Sequence, residues 1–172
     1  MLLFGFGTGV VTLVGRNVGA GRPDRARRIA WIGALIAGGA TGVIGLAAAM
    51  FAPAWARLFS QDAEVIATTT LYLRMVAPFY GVFGFGMTPY FAGQGARRVG
   101  WPITAGTLRL LVGGVLGAFA AFHMNLPLAG LFALVAASTL VFGAVSTIAL
   151  ALTPWGASTA PIPPAILKGT PT

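Results

Sequence analysis

Residues 7–28 read GTGVVTLVGRNVGAGRPDRARR, an apolar, glycine-rich run that turns within a few positions into a cluster of arginines. Arg16, Arg22, Arg25, Arg27 and Arg28 stand there against a single acid, Asp24. Such a cluster suits two partners, the phosphates of a nucleic acid or the cytoplasmic surface of a membrane. The rest of the chain decides between them. Of 172 residues, 57% are hydrophobic and 8% charged, and the mean hydropathy is +0.87. A soluble domain carries roughly 25% charge, so this chain cannot clothe a water-facing surface. The basic residues, which give a net charge of +8, sit between long charge-free runs rather than among polar or aromatic readers of bases. We therefore read the arginines as loop markers of a membrane protein and exclude a nucleic-acid partner.

An apolar helix of ~20 residues crosses a bilayer core. Charge-free runs predict spans at 1–15 (or 1–19), 29–56, 75–96, 101–122 and 128–152, so the expected fold is an all-α polytopic bundle of about five transmembrane helices over residues 1–152. Residues 153–172, rich in proline and small polar residues, are expected to be a flexible cytoplasmic tail. The first span is short, since fifteen residues reach only ~22 Å, so Arg16 must snorkel or an earlier segment is missing. It also lacks the basic n-region of a cleaved signal.

Loop charge sets the orientation. The first loop, the third with Arg97 and Arg98, and the tail with Lys168 fall on one side; Arg57 and Arg74 on the other are balanced by Asp62 and Glu64. The positive-inside rule places the arginine-rich loops and the C-terminus in the cytoplasm and starts the chain outside, in a cell (inner) membrane. An outside start without an export signal implies a missing preceding helix. Turn chemistry agrees: Gly19 and Gly21 suit a helix end, Pro23 the first turn of the next helix, and Ser60 or Asp62 an N-cap.

Glycines recur four apart at Gly5/Gly9, Gly15/Gly19, Gly38/Gly42 and Gly113/Gly117, a spacing that lets membrane helices approach closely. The third span, APFYGVFGFGMTPYFAGQG, carries Pro78 and Pro89 among glycines and is expected to kink at both. Interrupted helices line binding sites in transporters. Tyr80, Thr88 and Tyr90 can offer hydroxyls and aromatic faces to an organic cation there, although a tyrosine also suits the interface belt. Arg109 is the one charge well inside a span, where a cation faces a cavity or a partner, or snorkels. All three acids lie in loops or at helix starts, so no span holds a carboxylate for proton or sodium coupling. No cysteine is present and His123 is the one histidine, so no metal site, cofactor or catalytic residue is expected, and an enzyme is not.

These segments together resemble one half of a multidrug and toxic compound extrusion (MATE) transporter. Residues 7–28 are similar to that family's second-helix pattern, G-T-A, five residues, G-Q, two residues, G-A-G, followed by a basic loop. The run FAPAWARLFSQDAEVIATTTLYLRMVAPFYGVF resembles the next outer loop, and PYFAGQGARRVGWP the fourth-to-fifth helix turn. The resemblance implies twelve helices in two six-helix lobes, of which this chain supplies helices eight to twelve and lacks the first helix of its lobe and the N-terminal lobe. It implies efflux of organic cations or other xenobiotics in exchange for H+ or Na+, and no transport by this portion alone. Arg16 stands where the family pattern has a glutamine-like residue, Ala96 where it has an acid, and Gly81 where some sodium-coupled members have an acidic ligand. Two alternatives stand beside this: a non-transporting remnant or scaffold, and a lipid-linked saccharide flippase, for which Arg109 is the one inward-facing basic residue.

Overall fold

The computed structural model describes residues 2–124 and 126–155, and among these every regular element is helical. The elements are α1 (Leu2–Gly19), α2 (Pro23–Met50), α3 (Ala52–Arg57), α4 (Ala63–Val76), α5 (Tyr80–Gly95), α6 (Gly100–Leu110), α7 (Leu116–His123) and α8 (Leu128–Leu152). A 3-10 turn, Ala77–Phe79, joins α4 to α5, and a π-helical turn, Leu111–Val115, joins α6 to α7. Four continuous helical stretches are long and apolar enough to cross a membrane: Pro23–Met50, Ala63–Gly95, Gly100–His123 and Leu128–Leu152. α1, with 18 residues, spans ~27 Å and is the shorter fifth rod. The chain is a multi-pass membrane bundle.

Its surface is inverted relative to a soluble protein. Leu35, Val43, Ile103 and Phe122 point outward, while the interior is built from small residues such as Ala30, Ala34, Ala92 and Ala96, around Val10, Val14 and Phe91. Lipid solvates the large side chains, and small ones let backbones meet. Polar side chains avoid lipid by bonding within their own helix. Thr12 Oγ1 donates to the Thr8 carbonyl (3.0 Å), Asn17 Nδ2 to Leu13 (2.8 Å) and Thr147 Oγ1 to Gly143 (2.8 Å).

α5 is the hub, packed on α2, α1 and α8. Of the four glycine pairs, only Gly38/Gly42 meets a neighbour with both members, fitting against Gly81 and Phe85 of α5. Gly5, Gly9, Gly19 and Gly117 face open space. The tightest sites lie outside those pairs. A methyl at Gly45 would meet the Ala77 carbonyl, one at Gly84 the Thr41 hydroxyl, and one at Gly95 would come within 2.5 Å of the Val11 carbonyl.

The helix ends follow their local chemistry. After α1, Gly21 takes φ +67°, the Gly21 N–H donates to Val18 (3.0 Å) and the Arg22 N–H to Asn17 (2.9 Å), a Schellman closure. After α5 the same pair of bonds recurs, Arg97 to Gln94 (3.1 Å) and Arg98 to Gly93 (2.7 Å), with Arg97 at φ +56° in the glycine position. Asp62 caps α4, its Oδ1 accepting from the Glu64 and Val65 amides at 2.8 and 3.2 Å, and Ser60 supports it by accepting from the Asp62 N–H at 3.1 Å.

The second span departs from the expected 29–56. The helix begins at Pro23, pauses at Phe51 and resumes as α3. Pro53 has no N–H to give the carbonyl four residues back and its ring crowds that turn, so the rod cannot continue straight through. Past α8 the described residues continue through Thr153, Pro154 and Trp155: Trp155 is buried in the main core and its Nε1 donates to the Leu150 carbonyl at 3.4 Å. The rest of the expected tail, 156–172, lies outside the described residues.

Candidate functional site

Between α2, α4, α5, α6 and α8 lies a cavity of about 310 Å³, walled by Thr41, Tyr72, Tyr80, Phe83, Arg109 and Thr139, with Leu3 of α1 at one edge. Each wall has a local cause. The 3-10 turn at Pro78 ends the α4 ladder and restarts it as α5, which sets Tyr72 and Tyr80 beside each other over Ala48, Ala52 and Ala77. Tyr72 is further fixed edge-to-face on Phe132 of α8, ring centroids 5.2 Å apart. Thr41 and Thr139 spend their protons on their own helices, donating to the Ala37 carbonyl at 2.7 Å and the Val135 carbonyl at 3.0 Å. Their oxygens keep accepting capacity toward the cavity.

Arg109 lies nine residues into α6, ~14 Å along it. Its guanidinium sits 4.6 Å from the Phe83 ring centroid and 5.6 Å from that of Phe142, two rings that themselves meet at 5.7 Å. An arginine stacked on aromatic faces keeps its charge inside the bundle by cation-π attraction rather than by extending to water. The π-helical turn starts two residues later, with the Leu116 N–H bonded to the Leu111 carbonyl across it. Such a turn inserts one residue into the helix, and single π turns are frequent at functional sites. A second hollow of about 300 Å³ shares Arg109 and Val135 and extends along Gly113, Gly114 and Ser138.

The structure brings Tyr80 and Arg109 into one cavity and leaves Thr88 and Tyr90 out of it. Thr88 is buried on the α1–α2 side of α5, where its methyl packs toward Gly33. Tyr90 is exposed and leans edge-on against Phe91, 5.5 Å between centroids. Of the two prolines expected to kink the span, Pro78 sits in the 3-10 turn, whereas Pro89 is inside α5, which stays helical through it. Tyr72, Phe83, Phe142 and the two threonines complete the site. Nothing local in the sequence marks Phe142, which is brought to Arg109 only by the packing of α8. Among the described residues no group of histidine, aspartate or glutamate is placed to hold a metal ion.

The family model MatE matches residues 1–119 of the 172, from the start of the chain into α7. Comparison with curated proteins and with solved structures gave no match. α8, which brings Thr139 and Phe142 to the cavity, lies beyond the matched residues.

Proposed function

The chain belongs to the MatE family, a family of MATE-type transporters, and from that premise we propose that it forms part of a secondary-active exporter of organic cations or other xenobiotics. Efflux is driven by exchange for H+ or Na+, and a companion six-helix lobe faces this one across the pathway. The membrane is the cell (inner) membrane and the C-terminus is cytoplasmic, in keeping with the arginines that follow α1 and α5.

The observation that carries this reading is the cavity at Tyr72, Tyr80 and Phe83, whose aromatic faces suit the apolar body of an organic molecule. It lies beside the 3-10 interruption between α4 and α5, and interrupted helices are where transporter substrates bind. The carboxylate that couples the driving ion belongs to the companion lobe, because the acids here, Asp24, Asp62 and Glu64, all stand at the starts of α2 and α4.

In vesicles carrying this lobe with its companion, an imposed proton or sodium gradient is expected to drive uptake of a fluorescent dye. Tyr80→Ala should lower the rate several-fold at low dye concentration. Dye movement indifferent to both gradients would overturn the exchanger, and energised efflux by this chain without a companion would overturn the two-lobe arrangement.

A further inference from the structure

Among the described residues the charge in the cavity has no acidic partner. Arg109 carries a guanidinium, and all three acids of the sequence lie at the cap or first turn of α2 and α4. Intramembrane cations otherwise pair with a carboxylate or with freed carbonyls. Here the guanidinium rests on Phe83 and Phe142, contacts that stabilise the charge, and among the described residues its planar fork of N–H donors has no acceptor. The polar groups lining the cavity beside Arg109 are hydroxyls: Thr41 and Thr139 already donate to backbone carbonyls, and Tyr72 and Tyr80 present phenols. The cavity is therefore one fixed positive charge set at the side of an apolar, aromatic slot.

From this juxtaposition we infer that the Arg109 cavity takes the anionic head of an amphipathic molecule, a carboxylate or phosphate held by the guanidinium, with its apolar body against Tyr72, Tyr80 and Phe83. The inference rests on the reading of the cavity as part of a substrate pathway and, of the cargo named there, favours the other xenobiotics over organic cations at this cavity, as anionic and zwitterionic amphiphiles. A purely cationic compound meets repulsion from Arg109 and competes with it for the Phe83 face, whereas an anion gains a charge-assisted pair in a low-dielectric slot. The hollow that continues from Arg109 along Gly113, Gly114 and Ser138 gives the guanidinium space to turn from the rings toward a bound anion.

The test uses three fluorescent probes of one size, 1-naphthaleneacetate, its neutral amide and (1-naphthylmethyl)ammonium, titrated against the chain in phosphatidylcholine nanodiscs with empty discs as blank. The carboxylate is expected to bind at least tenfold more tightly than the amide, and the ammonium most weakly. R109Q should abolish the carboxylate's advantage and leave the amide unchanged, while R109K retains part of it. A second titration in discs containing phosphatidylglycerol separates the two sources of such a head. An Arg109-dependent loss of carboxylate affinity there identifies a lipid phosphate as the occupant, and unchanged affinity identifies a water-borne amphiphile. If the ammonium binds as tightly as the carboxylate, or R109Q keeps the full preference, the anionic inference falls and the pathway stands. If none of the three binds, the pathway reading falls as well. Should R109Q fail to fold, the probe order in the unmodified chain gives the decision alone.

Discussion

Arg97 and Asp62 show how single residues trade local strain against position. Arg97 occupies the left-handed place in a Schellman closure that Gly21 fills after α1, at φ +56° against +67°. The left-handed region costs a residue with a Cβ roughly 1–2 kcal/mol, partly returned on replacement by glycine through the greater freedom of the unfolded chain. Arg97→Gly is thus expected to raise the thermal midpoint in detergent, by about 0.5–1 kcal/mol of stability, and a fall would show that the Arg97 side chain holds the turn. Asp62→Ala removes the oxygen that accepts from the Glu64 and Val65 amides and should cost about 1 kcal/mol. Asp62→Ser should restore most of it, as read by thermal unfolding followed by circular dichroism. Thr70 is the opposite case, since its buried hydroxyl has no hydrogen-bond partner among the described residues. An unsatisfied buried hydroxyl pays desolvation without return, so Thr70→Val is expected to leave stability unchanged or raise it, and a clear loss would contradict the orphaned state.

Among the helices, α5 was the most legible in kind and the least in detail. Its glycines and prolines announce an interrupted, closely packed rod, yet which glycines touch a neighbour depends on how α2 and α5 cross. The regular four-residue spacing picked out Gly5/Gly9 and Gly117, which face open space, and passed over Gly45, Gly84 and Gly95, which lie against backbone or side chains of other helices. Spacing records which residues share a face, and only packing decides which face is used. Overpacking a close helix contact costs about 1–3 kcal/mol. Gly45→Ala and Gly84→Ala are therefore expected to lower the thermal midpoint clearly, whereas Gly9→Ala and Gly117→Ala should be neutral or slightly stabilising. Equal effects at the four positions would contradict the α2–α5 packing. The interruption after Met50 had its signal in Pro53, and the π-helical turn had a weaker one in Gly113–Gly114. The cap at Asp62 and the hairpin at Gly21 and Pro23 were readable because both rest on contacts within a few residues.

At the level of the molecule, composition sufficed for the membrane bundle, and the order of segments through residue 119 is that of the MatE family. The cavity was half legible. Arg109 and Tyr80 stood out, one as a charge inside a span and the other beside a proline. Tyr72, Thr139 and Phe142 join them through long-range contacts among α4, α5 and α8 that no local pattern encodes, while Thr88 and Tyr90 share α5 with Tyr80 but turn to its other sides. Orientation, too, is a property of the whole chain. Single cysteines at Arg25 and Arg97 are expected to react from the cytoplasmic side and one at Ser60 from the outside, and a reversed pattern would overturn the assignment from loop charge.

That the interior cavity communicates with water as part of a pathway can be tested in the same background, because the sequence has no native cysteine. The measurement is the rate at which a charged, membrane-impermeant thiol reagent modifies single cysteines at Tyr80 and Arg109, compared with Val43 on the lipid-facing surface and Thr88 in the helix interface. Rapid modification at Tyr80 and Arg109, slowed by a bound amphiphile, with Val43 and Thr88 inert, is the predicted result. Uniform protection at all four positions would show the cavity to be sealed and would contradict its role in transport.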